Sequence, residues 1–356
     1  MKVAIDAAPL MLSSGGVTRY TEQLSTALAG EFPEDDFILL CDHPFRMPAN
    51  PPRNLRAGSP PAVRHGKHWW TIGVQRAMSR DGCGLFHGTS FLVPWLPLRP
   101  SVVTLHDLSP WMERKWHPQG GFIRWRTPCQ LGLGLAEMLI TPSEAVRRQA
   151  IERFRVHPGR VVTVPLAAAA HFRPVDGRPR PTPYFVFVGT LEPRKNLGTL
   201  LEAWREVRRR HAVDLVLVGR MREDFDVPLP PEPGLHVMGE VADAELPGLY
   251  SSAVAVLYPS LYEGFGLPVL EALQCGALAI ASRDPAICEM AGDAALLLEP
   301  LDVRAWVQAM EASVTAPESM AAFRARSLGR AKLFSWRRAA RATREVYVEA
   351  LRRWRG

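Results

Sequence analysis

The chain has 356 residues, of which 47% are hydrophobic, and a formal net charge of +7. This length and composition argue against disorder and predict about two domains with separate cores. No apolar run approaches the roughly 20 residues of a membrane-spanning helix, and a strand-like run at the N-terminus argues against a signal peptide. The five scattered cysteines include no CxxC pair, so we expect reduced thiols, no zinc site and a cytoplasmic protein.

Charge is distributed unevenly along the chain. Residues 1–175 carry a net charge of +7, residues 176–323 a net charge of −9 and residues 324–356 a net charge of +9. Basic surfaces suit nucleic acid, anionic membranes or phosphorylated ligands. Because no nucleic-acid-binding motif is present, we predict a phosphate-bearing acceptor or a peripheral membrane contact, and no nucleic-acid partner.

Short apolar strands alternate with helical patterns in both halves of the chain. In the first half the strands are predicted at Val3–Asp6, Phe37–Leu40, Leu85–His87, Val102–Leu105, Met138–Thr141 and Val161–Val164, with helices at Thr18–Ala29 and Ser143–Phe154. In the second half they are predicted at Phe185–Gly189, Asp214–Val218, His236–Met238, Val254–Tyr258, Leu278–Ala281 and Ala295–Leu298, with helices at Leu197–His211, Asp243–Tyr250, Leu267–Cys275 and Val303–Ala312. This alternation predicts an α/β protein with two parallel-sheet domains, 1–170 and 184–330. The proline-rich stretch Ala167–Pro183 is read as the linker, and residues 44–82 show no clear pattern.

The strongest motif is the run SLYEGFGLPVLEA at residues 260–272. Gly264 and Gly266 let a ligand approach the backbone at a helix start, where N–H groups attract phosphate. Ionised Glu263 and Glu271 only accept hydrogen bonds, so we expect them to bind sugar and ribose hydroxyls. A capped helix start would explain Glu271 alone, but not the whole combination.

This run resembles the Glu-x7-Glu motif of retaining family 4 glycosyltransferases. Those enzymes have the GT-B fold, in which two Rossmann-like domains face each other across a cleft. The resemblance implies a metal-independent enzyme in which Glu263 contacts the donor sugar and Glu271 the ribose. It also implies that Phe265 and Gly266 offer backbone groups near the sugar, and Leu267 is expected to bind the donor.

A second motif, FVGTLEPRKN, spans a strand end, a turn and a helix start at residues 187–196. The adjacent cations Arg194 and Lys195 suit a diphosphate, although basic residues at helix starts also serve solubility. The segment resembles the family's Gly-Arg-Leu-x-x-x-Lys motif from Gly189 onward, with Lys195 as the phosphate-binding lysine. Since Thr190 replaces the family's arginine, we expect Arg194 to substitute for it.

Weaker signals complete the predicted donor site. Residues 237–241 are similar to the family's base-recognition segment and place Met238 and Val241 at the base, although an ordinary strand explains any one of them equally well. Gly219 follows a strand and fits a nucleotide-facing loop.

The first half contributes a glycine loop and a histidine. Gly15 and Gly16 follow the first strand, where their amides suit a phosphate or an acceptor hydroxyl, and this turn resembles the family's glycine loop. His106 ends a strand, a position that is more often structural. The resemblance implies that His106 meets the donor sugar near its reacting carbon, and we predict that Asp107 orients it.

No metal site and no cofactor beyond the nucleotide-sugar substrate are predicted. Asp224 and Asp226 imitate the DxD metal motif of another glycosyltransferase architecture, but acidic clusters such as residues 34–36 also occur by chance. Arg194 and Lys195 are expected to neutralise the diphosphate instead.

The basic C-terminal segment, residues 336–354, predicts an amphipathic helix that either docks on a membrane or packs within the protein. The family resemblance favours packing of residues 331–356 onto the first domain. Trp69–Trp70 and Trp111–Trp116, which have basic neighbours, are the better candidates for a membrane-facing acceptor region at the inner face of the cytoplasmic membrane.

The Gly189–Asn196 segment and the strand end His106–Ser109, with the sequence HDLS, look most similar to mannosyltransferases of bacterial surface polysaccharides. We therefore predict retaining transfer of a hexose, with GDP-mannose preferred, to a glycan or glycolipid acceptor. The alternatives are a UDP-sugar-dependent transferase, a nucleotide-sugar epimerase or phosphorylase on the same fold, and a non-catalytic sugar-binding subunit.

Overall fold

The computed structural model describes residues 1–12, 15–59, 65–117, 120–176, 180–223, 225 and 227–355. The chain divides into two compact units: unit 1 comprises Met1–Leu166 and Ser335–Gly356, and unit 2 comprises Ala167–Phe334. Each unit is built around one parallel sheet. The predicted α/β class with two parallel-sheet domains is therefore confirmed.

Unit 1 contains a seven-stranded sheet in the order β3-β2-β1-β4-β5-β6-β7, in which every pairing is parallel. Most of its strands are buried along their length, as expected of a sheet covered on both faces. The strands are β1 (Lys2–Asp6), β2 (Asp36–Leu40), β3 (Leu55–Ala57), β4 (Leu85–Gly88), β5 (Ser101–Thr104), β6 (Met138–Thr141) and β7 (Val161–Thr163). The helices are α1 (Gly16–Glu31), α2 (Val74–Asp81), α3 (Gly121–Gly132) and α4 (Glu144–Phe154).

Unit 2 contains a six-stranded parallel sheet in the order β10-β9-β8-β11-β12-β13. The strands are β8 (Tyr184–Val188), β9 (Asp214–Val218), β10 (Leu235–Gly239), β11 (Ala255–Tyr258), β12 (Ala279–Ser282) and β13 (Leu296–Leu298). The helices are α5 (Leu197–Arg208), α6 (Leu246–Ser252), α7 (Leu267–Gln274), α8 (Pro285–Ala291), α9 (Val303–Thr315) and α10 (Ala321–Ala331). The direction of strand succession reverses between β8 and β11. Ligands of open α/β sheets bind beyond the carboxyl ends of the strands at such a reversal.

The last helix, α11 (Trp336–Arg355), belongs to unit 1 and packs along α1. Arg337 donates to Glu31 and Arg344 donates to Asp35, each at 2.7 Å. Part of the positive charge of this helix is therefore neutralised by acidic side chains of unit 1. No helix in the described part of the chain is both long enough and apolar enough to cross a bilayer.

Two segments differ from the sequence-based reading. Residues 44–82 contain β3, α2 and a π-helical turn at Trp69–Gly73. The stretch read as a linker belongs to unit 2 from Ala167 onward. Its first part is held there because the Gln274 side chain donates to the carbonyls of Ala169 and Phe172, at 2.9 and 2.8 Å.

Candidate functional site

An ion-pair cluster lies beyond the carboxyl ends of β8 and β11, at the point where the strand order of unit 2 reverses. The chain leaves β8 through Gly189 and makes a 3-10 turn at Pro193–Lys195 before α5. The loop after β11 carries Glu263 towards α7. Because β8 and β11 are adjacent parallel strands, both loops emerge at the same edge of the sheet.

Three charged side chains form the centre of this cluster. Lys195 Nζ donates to Glu263 Oε1 at 2.6 Å and to the Tyr258 hydroxyl at 2.7 Å. Arg194 Nη1 lies 3.2 Å from Glu263 Oε2 and donates to the Tyr262 carbonyl at 2.7 Å. Arg194, Lys195 and Glu263 are 9%, 6% and 8% exposed, so these ion pairs are weakly screened by water.

A second carboxylate extends the cluster. Glu192 Oε1 accepts from Arg194 Nη2 at 2.7 Å, and Glu192 Oε2 accepts from Arg222 Nη1 at 2.6 Å. Sequence reasoning missed Glu192 and Arg222. Arg222 follows the strand next to β8, so only the sheet order could have indicated that it meets this loop.

Charge interactions set the protonation of the cluster. Burial alone would raise the pKa of Glu263, but the adjacent charges of Lys195 and Arg194 outweigh it and hold that pKa at about 2. Burial, followed by the charge of Arg194, lowers the pKa of Lys195. Asp284 caps α8 and accepts from the Glu263 amide at 3.2 Å, and burial together with the charge of Glu263 raises the pKa of Asp284 to about 6. Glu263 is therefore ionised at neutral pH and is the counter-ion of the two cations.

Two glycines at predicted donor positions are required by the backbone. Gly219 has φ +139°, and a Cβ there would lie 2.0 Å from the Gly189 carbonyl oxygen. Gly266 has φ +91° as the N-cap of α7, and a Cβ there would lie 3.1 Å from the Ile287 side chain. Only glycine lets the loops after β8 and β9 approach this closely.

The other predicted donor-binding residues differ in how deeply they are buried. Phe265 is buried beside the cluster loop, whereas Met238 at the end of β10 is 43% exposed and Val241 follows it half-buried. Leu267 begins α7. Glu271 is fully buried, where its carboxylate accepts from the Tyr250 hydroxyl at 3.1 Å.

His106 lies in unit 1, directly beyond β5. Its Nε2 donates to the Thr89 carbonyl at 2.7 Å, and its ring makes a T-shaped contact with the Tyr20 ring, at 4.7 Å between centroids. Burial lowers the pKa of His106, so the ring is neutral, with its proton on Nε2. The prediction that Asp107 orients His106 is wrong: Asp107 accepts from the backbone amide and hydroxyl of Ser109, at 2.9 and 2.6 Å. The Asp107 carboxylate reaches the backbone two residues further on, as in an Asx turn, and therefore bonds Ser109. The carbonyl of Thr89 holds the histidine instead.

The remaining predicted positions are placed as follows. Gly15 is the N-cap of α1 at φ +129°, and Gly16 is its first residue. Asp224 and Asp226 lie outside the described residues. Among the residues that are described, no group of three His, Cys, Asp or Glu side chains is placed to hold a metal ion.

Comparison with known proteins decides the family. Residues 182–315 match the family model of glycosyl transferases group 1, and residues 14–172 match that of glycosyltransferase family 4. The chain is 32% identical over 283 residues to O-antigen chain mannosyltransferase B of Escherichia coli, covering 74% of each protein. The chain belongs to glycosyltransferase family 4. The family resemblance and the enzyme class predicted from the sequence are thereby confirmed.

Solved structures show the same fold for this glycosyltransferase. Sucrose-phosphate synthase from Thermosynechococcus elongatus has a TM-score of 0.77 at 20% identity, with 98% of each chain covered. Anabaena Alr3699/HepE in complex with UDP-glucose has a TM-score of 0.71 at 15% identity, with 98% of this chain and 100% of that chain covered. The predicted GT-B fold is confirmed.

Proposed function

We propose that this family 4 glycosyltransferase transfers mannose from GDP-mannose, with retention of configuration, to a glycan or lipid-linked acceptor in surface polysaccharide synthesis. The observation that supports a nucleotide-diphosphate donor is the Arg194–Lys195–Glu263 cluster at the strand-order reversal of unit 2. The sugar assignment is supported by the relative named O-antigen chain mannosyltransferase B.

The cluster suits a diphosphate because it offers two kinds of cation. Arg194 supplies a planar fork and Lys195 a compact charge, and both suit phosphate oxygens. Since Glu263 already neutralises them, an incoming diphosphate competes with that carboxylate. Once displaced, Glu263 is free to accept hydrogen bonds from the hydroxyls of the donor sugar, which do not repel it.

In the proposed reaction the protein contributes positioning and charge stabilisation. Arg194 and Lys195 stabilise the negative charge that develops on the leaving diphosphate. An oxygen of that diphosphate takes the acceptor proton on the face from which it departs, so no protein nucleophile is required. Neutral His106, held by Thr89, contacts the donor sugar, and Glu271 binds the ribose.

A UDP-sugar donor is the second candidate. The similar structure of Alr3699/HepE was solved in complex with UDP-glucose, which favours this alternative on the same fold. We also propose peripheral contact with the inner face of the cytoplasmic membrane, because the aromatic and basic surface of unit 1 suits anionic lipid. The exposed side chains that support this contact are Ile72, Met112, Phe122 and Trp125.

A donor screen tests the proposal. The purified chain is incubated with GDP-mannose, UDP-glucose and UDP-galactose in the presence of a lipid-linked oligosaccharide acceptor, and the products are read by mass spectrometry. We expect a hexose added to the acceptor from GDP-mannose only, and product formation slowed on the order of 10²-fold in the Lys195→Ala variant. Transfer from a UDP-sugar alone would replace the donor assignment, while a free sugar or an epimerised nucleotide would indicate one of the other enzymes on this fold.

A further inference from the structure

A buried arginine in unit 1 has no anionic partner among the residues that the structure describes. Arg126, in the middle of α3, is 4% exposed. Its guanidinium carbon lies 5.4 Å from the ring centroid of Trp70, 5.2 Å from that of Trp95 and 4.7 Å from that of Phe122. In the described part of the chain, no hydrogen-bond acceptor reaches its buried Nε or Nη2 atoms.

The position of Arg126 is fixed by its neighbours on α3. The Thr127 hydroxyl donates to the Phe91 carbonyl at 3.0 Å. The Gln130 side chain donates to the Val93 carbonyl at 2.5 Å and accepts from its amide at 3.2 Å. These contacts fasten α3 to the segment after β4, and the rings of Trp70, Trp95 and Phe122 surround the guanidinium.

The Nε and Nη2 atoms form one edge of the guanidinium, the edge that binds carboxylate or phosphate through two parallel hydrogen bonds. Burial lowers the pKa of Arg126 to about 10, so the group is still charged at neutral pH. The aromatic faces stabilise this charge in part, but they cannot accept the two in-plane hydrogen bonds. An entering anion would satisfy both.

The surface around the first turns of α3 combines cations with apolar rings. An open concavity of about 760 Å³ is lined by Arg114, Lys115, Gly121, Arg124 and Trp125. Phe122 and Trp125 are 51% and 57% exposed, although large aromatic side chains are usually buried. Glu113 is the acidic side chain in this stretch of sequence, next to Arg114. Several cations favour a phosphate, and the exposed rings favour an attached apolar chain.

We propose that the Nε–Nη2 edge of Arg126 binds the phosphate of a lipid-linked acceptor, with Phe122 and Trp125 packing against its apolar chain. This deepens the proposed function, on which it rests for the identity of the ligand as the acceptor. Because that edge is buried, an entering phosphate has to displace a neighbouring side chain, and the candidate is Phe122 at the exposed start of α3, with its ring centroid 4.7 Å from the guanidinium carbon. The same chemistry is offered by a phospholipid headgroup, and the experiment separates the two sources.

Binding to the full-length protein is measured by tryptophan fluorescence and calorimetry with no nucleotide sugar present. The probes are farnesyl phosphate, farnesol, dihexanoyl phosphatidic acid and inorganic phosphate. We expect farnesyl phosphate to bind at least about tenfold more tightly than each of the others. The variants Arg126→Lys and Arg126→Gln should weaken farnesyl phosphate about tenfold, because both lose the bidentate fork, and leave farnesol unchanged. Arg76→Gln, at an exposed position of α2, is the matched control.

Unchanged farnesyl phosphate affinity in both Arg126 variants would overturn the site. Equal binding of phosphatidic acid and farnesyl phosphate would overturn the assignment to the acceptor. If the Arg126 variants fail to fold, Phe122→Ala at the exposed ring should weaken farnesyl phosphate severalfold, and no change would refute the proposal. Because no donor is used, failed mannose transfer with intact farnesyl phosphate binding would contradict the proposed function and not this site.

Discussion

Replacing Glu263 with glutamine separates its two proposed tasks, neutralising the cations and binding the donor sugar. The substitution keeps the size of the side chain and removes its charge. Lys195 then loses the ionised oxygen that lies 2.6 Å from its Nζ, and Arg194 loses the one that lies 3.2 Å from its Nη1. Both cations are almost fully buried, so water does little to replace the lost carboxylate.

The size of the effect follows from this competition. A hydrogen bond to a charged group contributes about 1.5–3 kcal/mol. If a diphosphate must displace Glu263 from Lys195, removing the carboxylate lowers the cost of binding by about that amount. We therefore expect free GDP to bind about 10- to 100-fold more tightly to Glu263→Gln than to the wild type. The folded state should meanwhile lose about 3–5 kcal/mol, because the buried Lys195 keeps no carboxylate partner among the described contacts and Arg194 keeps only Glu192.

Calorimetry with GDP and thermal unfolding with and without inorganic pyrophosphate measure both effects. Pyrophosphate should raise the Tm of Glu263→Gln more than that of the wild type, since it replaces the missing anion. Glu192→Gln is the control, because Glu192 contacts Arg194 and Arg222 but not Lys195 in the described contacts, and it should change GDP affinity less. Mannose transfer should fall in Glu263→Gln despite tighter GDP binding. Weaker or unaltered GDP affinity in this variant would refute the displacement of Glu263 by diphosphate.

The remaining predictions concern the phosphate site, the backbone and pH. Lys195→Ala should lower the rate of sugar transfer on the order of 10²-fold in correctly folded protein, as measured by single-turnover product formation. Transfer by the wild type should survive EDTA, since side-chain cations hold the diphosphate. Gly219→Ala should cost about 2–4 kcal/mol in urea unfolding, because its Cβ would overlap the Gly189 carbonyl, whereas Gly198→Ala, which meets open space, should not destabilise. Burial holds the pKa of His87 at about 3. Below about pH 6.5 the unfolded chain binds a proton at this histidine and the folded chain does not, so the free energy of unfolding should fall by up to about 1.4 kcal/mol per pH unit as the pH drops from about 6.5 to 3. In His87→Gln this dependence on pH should be weaker.

The sheets could be predicted because parallel strands buried on both faces appear as continuous apolar runs. The strand β3 could not, since it has three residues and only Leu55 is buried. Helix α3 was missed because Pro128 lies inside it and glycines stand at its start and end. Because Pro128 has no amide proton, the carbonyl of Arg124 lacks its usual hydrogen bond within the helix. The indole of Trp111 donates to that carbonyl instead, at 2.9 Å, so the helix tolerates the proline.

The candidate site was predictable in composition but not in its connections. Adjacent cations after β8 indicated a phosphate site, and the structure places both where the strand order reverses. The pairing of Lys195 with Glu263 spans 68 residues and depends on β8 and β11 being neighbours. Local sequence contains no signal for that adjacency. The burial of Glu271 under Tyr250 likewise depends on how α6 packs against α7.

The two units differ in net charge, and this difference bears on which ligand each one attracts. Unit 1 has 26 Lys and Arg against 15 Asp and Glu, a net charge of +11, whereas unit 2 has 17 against 21, a net charge of −4. A net acidic unit repels an anionic donor at long range, so donor binding there must depend on the local cations Arg194 and Lys195. In unit 1, α11 already pairs some of its arginines with Glu31 and Asp35, so the excess positive charge lies partly elsewhere on that unit. The concavity lined by Arg114, Lys115 and Arg124 is such a place, which makes unit 1 the part of the chain suited to attract an anionic acceptor.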